Sequence, residues 1–593
     1  MTAKKWNFVP FDNGRIDDLS RGANLSPLVA QLLLRRGIDH PEVARQFLDA
    51  KLTQLRPPEE LPGVVQATEV IGQSIAAGHE ILIHGDYDAD GMTATAILYK
   101  CLQLLGSRVT YFLPNRLEDS YGLQPESIER FAAMGKQTII TVDCGIGNAQ
   151  AASRAKQLGL TLIITDHHQF GDQLPDAAAI VHPALPGANY PFTDLCGAGV
   201  AFKLAWALCQ SQSGSQRVAQ HLRDFLLQAV GLAAIGTVAD VVPLVDENRV
   251  LVRNGLKMLV SSPTLGIQKL KEATQLSGKQ VLNAEDIAFT LAPRLNAAGR
   301  LGQAQLGVEL LVTEDLNRAT ALADYIQELN QTRNTLERSI QIAASKQIKE
   351  VHSVSDDPAF VLCSPSWHPG VIGIVAGKLA EKHHRPVVMI AQDKLGTRPG
   401  VGSARSPNGI NLHQAIGQCR DYLISGGGHA AAAGLTIQDS QLLAFRAAFL
   451  EAVAEQASET IAAPELTFDA QAALGQLDLS TMQQIEQLSP FGMQNTRPLF
   501  CAVGVRLREA PKLLGESGKH FSMQIIQHGC SMRALAFGRA EEWLADLQQN
   551  HEQPLDLAFR PVINEFRGYR TVELHLVDWR LHSAQTEMLQ SVG

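Results

Sequence analysis

The stretch EILIHGDYDADGMTATAIL, residues 80–98, runs from an apolar segment through a group of acids into a helical pattern. Ile81, Leu82 and Ile83 predict a short buried strand, and a histidine and three aspartates follow it within seven residues. Carboxylates this close together repel one another, and a buried carboxylate without a partner is costly to desolvate. The sequence therefore predicts a cation-binding site at the end of this strand.

The same pattern, an apolar run followed by acids or histidines, recurs further along the chain. The runs TIITV and TLIIT and a later apolar helical segment are followed by these side chains: Asp143, Asp166, His167, His168 and Asp240. Short apolar runs that alternate with helical patterns from about residue 65 to 240 indicate a doubly wound parallel sheet. Because the carboxyl ends of parallel strands share one edge of a sheet, we expect all of these side chains to meet in one crevice.

The types of ligand atom in these clusters indicate which cations can bind. Carboxylate oxygens and imidazole nitrogens without thiolates favour Mn²⁺ or Mg²⁺ over structural zinc. Two divalent ions are expected, since one ion does not neutralise this many carboxylates. Each residue taken alone has a structural alternative, because an aspartate at a strand end often caps a helix or forms a turn, and His84 could be a core histidine. The succession of clusters within one domain favours metal binding.

The composition indicates a multidomain globular protein. The 593 residues are too many for one hydrophobic core, and 45% of them are hydrophobic. The net charge of -9 does not exclude a nucleic-acid partner, because residues 371–420 contain seven Lys or Arg against two acids. The eight cysteines include no C-x-x-C pair, which argues against a disulfide framework and a cysteine zinc site and favours a reduced, cytoplasmic protein.

No membrane segment is expected, and the remaining patterns suggest the domain organisation. The N-terminal residues lack the apolar core of a signal peptide, and the most apolar stretch, Phe225–Ala239, is too short to span a bilayer and is predicted to be a buried helix. Residues 317–349 contain neither Gly nor Pro and predict one long helix. A second α/β pattern follows this helix, and beyond Pro464 five strand-like runs predict a small β-barrel of OB type.

The expected fold class is α/β with a C-terminal barrel. In chain order we expect five parts: an N-terminal segment (1–50), a doubly wound parallel-sheet domain that binds metal (51–310), a connecting helix (311–350), a smaller α/β substrate domain (351–460) and an OB-like nucleic-acid-binding barrel (461–593).

Several of these stretches resemble a known family. HGDYDADGMTATAIL, LPNRLEDSYGL, TVDCGIGN, TDHHQF followed by VHP, and TVADVVPL resemble the successive motifs of the DHH phosphoesterase family. APRLNAAGRL, SWHPGVIGIVAGKL, GSARSPNGINL and GGGHAAAAG resemble the DHHA1 domain of its single-strand-specific exonucleases. The resemblance covers roughly residues 50–460, and the β-rich remainder fits the OB domain of these enzymes. It implies a nuclease that releases 5′-mononucleotides from single-stranded DNA, 5′ to 3′, by two-metal-ion catalysis in DNA repair and recombination.

The resemblance also implies a role for each matching position in the first domain. One ion would be held by His84, Asp88 and Asp143. The second ion would be held by Asp90, Asp143, His167 and Asp240. Asp86 would be a supporting group or an alternative ligand, Asp166 would support the histidines, and His168 would contact the scissile phosphate.

The second domain is expected to bind the substrate. In GSARSPNG, Ser403 and Arg405 are predicted to lie on a glycine-flanked loop that grips a terminal phosphate. By resemblance, the same 5′-phosphate pocket would also contain Arg116, Arg294 and Arg300. In GGGHAAAAG, we expect Gly427, Gly428 and His429 to lie at the phosphodiester beside the metals. The alternatives are solvated loop arginines and, for GGGHAAAAG, a tight turn into an alanine-rich helix.

Three other functions stay open at this point. A phosphoesterase of oligoribonucleotides or cyclic dinucleotides would use the same metals but typically lacks the C-terminal β segment. A manganese pyrophosphatase needs no strand-guiding barrel, and a non-enzymatic DNA-binding scaffold of this fold would have lost metal ligands. The expected partners are single-stranded DNA with a 5′ end, a single-strand-binding protein and a helicase. No membrane partner is expected, and the chain is expected to be a monomer.

Overall fold

The computed structural model describes residues 4–119, 122–171, 173–214, 217–407, 409–457, 465–516 and 518–583. The chain forms two compact units. Unit 1 comprises Met1–Leu55, Pro243–Arg253 and Ala463–Gly593, and unit 2 comprises Arg56–Val242 and Asn254–Ala462. The N-terminal segment thus shares a unit with the C-terminal domain, which the sequence division does not anticipate.

The N-terminal segment consists of one strand and three short helices. They are β1 (Lys5–Phe8), α1 (Asn13–Ala23), α2 (Pro27–Arg35) and α3 (Pro41–Asp49). Asp12 and Ser26 cap α1 and α2, because their side chains accept first-turn backbone N–H groups. Pro27 and Pro41 occupy first-turn positions, where the missing N–H has no helical partner to lose. The buried leucines of α1 and α2 join the hydrophobic core of unit 1.

Unit 2 contains a five-stranded sheet in which all strands are parallel. Its strands are β2 (Glu80–His84), β3 (Arg108–Phe112), β4 (Thr138–Val142), β5 (Thr161–Thr165) and β6 (Ala179–Val181), in the order β3-β2-β4-β5-β6. Its helices are α4 (Val64–Ala76), α5 (Ala89–Leu104), α6 (Pro125–Ala133) and α7 (Ala149–Gln157). The predicted doubly wound parallel sheet is confirmed. The strand order reverses between β2 and β4, and such a switch point is where these folds bind ligands.

Helices form the rest of this domain. They are α8 (Gly197–Ser213), α9 (Gln220–Ala239), α10 (Asp246–Ser261), α11 (Leu265–Glu272), α12 (Ala284–Asp286), α13 (Ala292–Arg300) and α14 (Ala304–Val312). The residues of α10 up to Arg253 belong to unit 1. The long helix α15 (Leu316–Val351) follows them and confirms the prediction for this segment. Among the described residues one helix, α9, has the length and composition to cross a membrane, but 72% of its most apolar window is buried inside the protein. The buried helix is therefore confirmed, and it is longer than predicted because it begins at Gln220.

The second domain of unit 2 is a mixed sheet with three helices. Its strands are β7 (Phe360–Ser364), β8 (Val387–Ala391), β9 (Gly400–Arg405), β10 (Ser425–Gly428) and β11 (Ala432–Ile437), in the order β10-β11-β9-β8-β7. Its helices are α16 (Pro369–His383), α17 (Leu412–Gln418) and α18 (Leu442–Ala457).

One local expectation about this domain and one of the alternatives were wrong. Ser403 and Arg405 lie in strand β9 and not on a loop, because β9 pairs with β8 on one side and β11 on the other. GGGHAAAAG forms the β10–β11 hairpin and not a turn into a helix. Its last residues continue into a strand whose alternate side chains, Ala433, Leu435 and Ile437, are buried in the core of this domain.

The C-terminal domain is a closed β-barrel. Its strands are β12 (Glu465–Phe468), β13 (Ala470–Gln471), β14 (Phe500–Leu507), β15 (Lys512–Leu514), β16 (His520–Gln527), β17 (Cys530–Ala536), β18 (Leu555–Phe566) and β19 (Tyr569–Leu581), and its helices are α19 (Leu479–Glu486) and α20 (Ala540–Gln549). The order β14-β18-β19-β17-β16 closes through an additional pairing of β14 with β16. The predicted OB-like barrel is confirmed, and all five predicted strands belong to this ring. Strand β1 pairs in parallel with β12.

Candidate metal centre

The predicted acids and histidines of unit 2 meet at the carboxyl edge of the parallel sheet. Asp88 caps α5 at the end of the loop that follows β2, Asp143 follows β4, His167 follows β5, and Asp240 caps the end of α9. The Nε2 atom of His167 lies 3.0 Å from Asp143 Oδ1, 3.6 Å from Asp240 Oδ2 and 3.9 Å from Asp90 Oδ2. Four chain segments therefore deliver their donors to one place.

Three groups of these side chains are close enough to hold an ion. In each group the candidate ligand atoms lie within 4.8 Å of one another, and the groups are Asp90–His167–Asp240, Asp86–Asp88–Asp143 and Asp143–His167–His168. The first group contains three of the four ligands expected for the second ion. The second group contains Asp86 in the place where the resemblance implies His84.

His84 is buried beside this cluster but belongs to none of the three groups. Its ring lies against Phe112 and Phe131, with centroids 5.8 and 5.9 Å away. Its Nδ1 atom is 3.6 Å from Cys144 Sγ, and its buried Nε2 atom has no hydrogen-bond partner among the described residues. Burial lowers the pKa of His84 to about 4, so the ring is neutral and keeps a lone pair at neutral pH. Its role as a ligand stays a prediction.

The electrostatics of the cluster favour a bound cation. Burial, together with the charges of Asp90 and Asp88, raises the pKa of Asp143 well above its ordinary value. Burial and the same two neighbours raise the pKa of Asp240 to about 8. Asp143 Oδ1 and His167 Nε2 are buried, and within the described chain neither atom has a hydrogen-bond partner of acceptable geometry. Oxygen and imidazole donors in this arrangement fit a pair of hard divalent cations.

Backbone groups that sequence reasoning missed hold these ligands in position. Asp90 accepts hydrogen bonds from the N–H groups of Gly197 and Ala198, the first two residues of α8. A Cβ atom on Gly197 would lie 2.5 Å from Asp143 Oδ1, and one on Gly236 would lie 2.3 Å from Asp90 Oδ1. Asp143 itself has φ 61°, a left-handed conformation that non-glycine residues adopt rarely and that is found at functional sites. The only sequence signal was the glycine pair in CGAG.

His168 and Asp166 form a hydrogen-bonded pair beside the cluster. His168 Nδ1 lies 2.8 Å from Asp166 Oδ1, and Asp166 also accepts N–H groups from Ile146 and His167. Burial disfavours the protonated form of His168, but the hydrogen bond and charge of Asp166 outweigh burial and raise the pKa of His168 to about 9. His168 therefore carries a proton at neutral pH.

Arginines gather next to the metal motif. The Arg116 guanidinium lies 4.8 Å from the ring centroid of Tyr87, which stands between Asp86 and Asp88. Arg300 donates to the Gly370 carbonyl, and Arg405 donates to Ser403 Oγ at 3.0 Å. Burial and the charges of Arg116, Arg333 and Arg405 lower the pKa of Arg300 to about 10. Within the described chain, Arg116, Arg300 and Arg405 form no ion pair, although the charges of Asp86 and Asp88 act on Arg116 and Arg300.

Arg294 differs from the other predicted arginines. Its guanidinium already donates to Gln327 Oε1 and to the Thr290 carbonyl, each at 2.7 Å. Arg333 of α15, which sequence reasoning missed, adds to the positive charge around Arg300, although it also pairs with Glu337 at 2.8 Å.

The stretch RLNAAGR brings the arginines and the metal motif together. Asn296 Oδ1 accepts the N–H of Ala89 at 2.9 Å, within the metal motif. A Cβ atom on Gly299 would lie 1.9 Å from the Tyr87 carbonyl oxygen, and one on Gly370 would lie 2.1 Å from the Arg300 carbonyl oxygen. These glycines therefore allow backbone contacts that any larger residue would prevent.

The remaining predicted residues lie on an exposed hairpin. Gly427 and Gly428 end β10, and His429 follows them with its N–H donating to the Ala432 carbonyl at 2.8 Å. Their contact with a phosphodiester stays a prediction. His368 has a structural role, because its Nδ1 accepts the N–H of Gly370 and caps α16.

Comparison with known proteins agrees with this architecture. The family model for the DHH family, N-terminal domain, matches residues 80–237, the DHHA1 domain matches residues 356–459, and the RecJ OB domain matches residues 468–578. A protein of Salmonella typhimurium named single-stranded-DNA-specific exonuclease RecJ is 35% identical over 570 residues, which are 94% of this chain and 97% of that protein.

Two further relatives extend the comparison. The Bacillus subtilis protein of the same name is 38% identical over 91% of this chain, and the match spans 66% of that longer protein. The crystal structure of RecJ from Thermus thermophilus in complex with Mn²⁺ superposes with a TM-score of 0.81 at 31% identity, over 98% of this chain and 80% of that one. The resemblance to the DHH phosphoesterases is confirmed, and the chain belongs to the RecJ family.

Proposed function

We propose that this chain is an exonuclease that hydrolyses single-stranded DNA from its 5′ end and releases 5′-mononucleotides. The observation that carries the proposal is that the loop after β2 carries candidate metal ligands and is also in contact with the arginine cluster. Tyr87 lies between the candidate ligands Asp86 and Asp88, and it also touches the guanidinium of Arg116 and the helix that carries Arg300. The proposed cation site and the proposed site for a terminal phosphate therefore share this loop, which supports removal of an end nucleotide.

Two divalent cations, Mn²⁺ or Mg²⁺, complete the centre in this proposal. Asp90, His167 and Asp240 would hold one ion, Asp88 would hold the other together with Asp86 or His84, and Asp143 would be a ligand of both. When bound, the ions supply Lewis-acid stabilisation of the charge that develops in phosphodiester hydrolysis. Carboxylates fixed by backbone donors, as Asp90 is, need little reorganisation to receive them.

His168 is the proposed proton-bearing contact to the scissile phosphate. Asp166 orients its ring through the 2.8 Å contact to Nδ1 and keeps the imidazole protonated. The Nε2–H group is then free to donate a charge-assisted hydrogen bond to a phosphate oxygen.

The arginines are proposed to set the 5′ to 3′ direction of hydrolysis. Arg116, Arg300 and Arg405 bind the 5′-terminal phosphate, with Ser403 at the Arg405 guanidinium and Arg294 at the margin of the pocket. A guanidinium matches a phosphate group with two parallel hydrogen bonds, which gives direction as well as affinity. Gly427, Gly428 and His429 are proposed to contact the phosphodiester.

The family resemblance supports the cellular part of the proposal. We propose that the chain acts as a monomer in the cytoplasm, in DNA repair and recombination. A single-strand-binding protein and a helicase are the proposed partners that expose and supply the strand.

A direct assay tests the proposed function. Oligodeoxynucleotides labelled at the 5′ or the 3′ end are incubated with the protein and Mn²⁺, next to the same sequence as a blunt duplex. We expect labelled mononucleotide at once from the 5′-labelled strand, a ladder from the 3′-labelled strand, and no product from the duplex. Activity on dinucleotides alone would instead indicate an oligonucleotide phosphoesterase, and hydrolysis of pyrophosphate alone would indicate a pyrophosphatase.

A further inference from the structure

We infer that Cys144 is a positioning residue for His84, because its sulfur holds the imidazole in the tautomer that can bind a metal ion. The inference rests on the proposed function, in which His84 is a candidate ligand. Cys144 directly follows Asp143, which belongs to two of the three candidate ligand groups. Its thiol is not itself an expected ligand, because Mn²⁺ and Mg²⁺ prefer oxygen and imidazole nitrogen.

The parallel sheet brings the thiol and the imidazole together. His84 is the last residue of β2 and lies opposite Thr141 of the neighbouring strand β4. Cys144 stands three residues after Thr141, just beyond the end of β4. Its Sγ atom lies 3.6 Å from His84 Nδ1 and 3.7 Å from the carbonyl oxygen of His84. A thiol can donate one hydrogen bond and accept another, so one sulfur can serve both groups.

Aromatic packing fixes the orientation of the imidazole. His84 is 1% exposed, and its ring lies against the rings of Phe112 and Phe131. These two phenyl rings contact each other with centroids 5.4 Å apart, and the Arg130 guanidinium lies 4.4 Å from the centroid of Phe112. Rotation of the imidazole would displace this packing. Nδ1 therefore stays beside the sulfur.

The thiol is the donor in one of its two contacts. Burial, followed by the charges of Asp166 and Asp86, raises the pKa of Cys144 well above its ordinary value, so the sulfur carries a hydrogen. The carbonyl of His84 can only accept, and the S–H group donates to it across 3.7 Å. A thiol has no second hydrogen. In the other contact the sulfur must therefore accept a hydrogen bond from Nδ1–H of His84.

The opposite arrangement leaves a buried donor without an acceptor. If the thiol donated to Nδ1, the one hydrogen of the neutral ring would be on Nε2. Nε2 is buried and has no hydrogen-bond partner in the part of the chain that the structure describes. Buried N–H groups without an acceptor are rare in native proteins, and the His84 carbonyl would lose its thiol donor as well. The Nδ1–H form satisfies both contacts and leaves only a lone pair at Nε2.

This tautomer is the one that a metal ligand requires. An ion binds the lone pair of one ring nitrogen, and the other ring nitrogen of a ligating histidine almost always donates its hydrogen to a neighbouring acceptor. That acceptor is usually a carboxylate or a carbonyl, and for His84 it is the sulfur of Cys144. A carboxylate at this position would add negative charge to a centre that already contains several buried acids, whereas a thiol is neutral. Cys144 thus prepares His84 for a cation without touching the cation.

The tautomer of His84 in the metal-free full chain tests the inference without any measurement of turnover. The histidine rings are labelled with ¹⁵N, and the signals of His84 are those that disappear in His84→Gln. The shifts of the two ring nitrogens identify which one carries the hydrogen. In EDTA we expect the hydrogen of the unaltered chain on Nδ1. A hydrogen on Nε2 would overturn the inference.

Three variants connect the tautomer to metal binding. Cys144→Ala removes the sulfur, and Cys144→Ser keeps a group that can donate and accept, although its oxygen reaches less far than sulfur. The control is Cys101→Ala, which removes another buried thiol of the same domain whose Sγ also lies 3.7 Å from a backbone carbonyl, that of Ala205. Calorimetry measures affinity for Mn²⁺, and thermal unfolding in EDTA checks that each variant is folded.

We expect Cys144→Ala to lose roughly tenfold in affinity for Mn²⁺, since groups that support a ligand typically contribute about ten- to hundredfold. Its His84 ring should become a mixture of the two tautomers. Cys144→Ser should lose less affinity, and Cys101→Ala should bind Mn²⁺ as the unaltered chain does. Turnover of Cys144→Ala should return when the Mn²⁺ concentration is raised, because every candidate ligand is still present.

Unaltered Mn²⁺ affinity in both Cys144 variants would overturn the inference, and so would an equal loss in Cys101→Ala. If Cys144→Ala does not fold, Cys144→Ser and the tautomer of the unaltered chain decide the matter. If the unaltered chain binds Mn²⁺ but hydrolyses no DNA in the assay above, the proposed function fails, whereas the tautomer and the affinities still decide the role of Cys144.

Discussion

The backbone N–H of Gly197 donates a 2.7 Å hydrogen bond to Oδ2 of Asp90, across 107 residues of sequence. The N–H of Ala198 donates to the other oxygen of the same carboxylate at 2.9 Å. The first turn of α8 therefore fixes both oxygens of a candidate metal ligand, and its positive dipole end favours the ionised form. Because the donors belong to the backbone, the orientation of Asp90 depends on the fold and on the absence of a side chain at residue 197.

Replacing Gly197 with Ala should damage the centre without unfolding the domain. The new Cβ would lie 2.5 Å from Asp143 Oδ1, so either that carboxylate or the start of α8 must move. We expect affinity for Mn²⁺, measured by calorimetry, to fall about ten- to hundredfold, as it does when groups that support a ligand are lost. Gly72→Ala in α4 is the matched control, because nothing lies within 4 Å of its Cβ position. Equal Mn²⁺ affinity of the two variants would contradict the assigned geometry.

Asp143→Ala should abolish turnover and spare DNA binding. Asp143 belongs to two of the three candidate ligand groups, so its loss affects both ions. The arginine pocket is built by other residues, and affinity for a 5′-phosphorylated strand in EDTA should stay within about threefold, because removing a buried acid also relieves repulsion. Gel assays and anisotropy on the same preparation measure the two quantities. Retained turnover would rule out a shared ligand at this position.

Arg405→Ala should reduce the preference for a phosphorylated 5′ end. A charge-assisted hydrogen bond to a phosphate contributes about 1.5–3 kcal/mol, so kcat/KM for the phosphorylated strand should fall roughly tenfold or more. The hydroxyl-ended strand should lose less, because it lacks the group that Arg405 binds. Arg398→Ala, on an exposed turn of the same domain, serves as the control. If kcat/KM falls equally for the phosphorylated and the hydroxyl-ended strand, the phosphate pocket lies elsewhere.

Stabilisation by Mn²⁺ should increase with pH. Burial and the charges of Asp90 and Asp88 raise the pKa of Asp240 to about 8, and burial and Asp88 raise the pKa of Asp90 to about 6. The folded, metal-free protein therefore binds more protons than the unfolded chain between the ordinary aspartate pKa, about 4, and about pH 8. The protons on these acids stabilise the folded protein fully below about pH 4, and this stabilisation is lost as the pH rises toward 8. At the higher pH a bound cation should stabilise the ionised acids in place of the protons.

Thermal unfolding with and without Mn²⁺ measures this effect. The increase in Tm should be larger at about pH 8 than at about pH 5.5, where protons compete with the ion for the same oxygens. Asp240→Asn should reduce the difference between the two pH values, since an amide does not titrate. The same increase at both pH values, in the unaltered chain, would contradict the raised pKa values.

The sequence was most informative where chemistry and strand periodicity coincide. Asp143 and His167 each follow a five-residue apolar run, and parallel strands bring their carboxyl ends to one edge, so their proximity could be predicted. The choice between His84 and Asp86 could not be predicted. His84 is the last residue of β2 and Asp86 follows that strand, so which side chain reaches the cluster depends on the backbone path through Gly85.

Features that depend on hydrogen bonds between residues far apart in the sequence were also missed. The donors at Gly197 and Ala198 carry no side-chain chemistry, so a sequence pattern gives no sign of their acceptor. GVGSAR contains two glycines and resembles a loop, yet β8 and β11 on either side make it a central strand. Only tertiary structure supplies those partners, since strand propensity depends strongly on context.

The most direct test of the shared metal centre is anomalous diffraction from crystals of the full chain soaked in Mn²⁺. We expect two manganese peaks roughly 3.5–4 Å apart, both in contact with Asp143, one of them also with Asp90, His167 and Asp240. A single peak, or two peaks without Asp143 between them, would contradict the account.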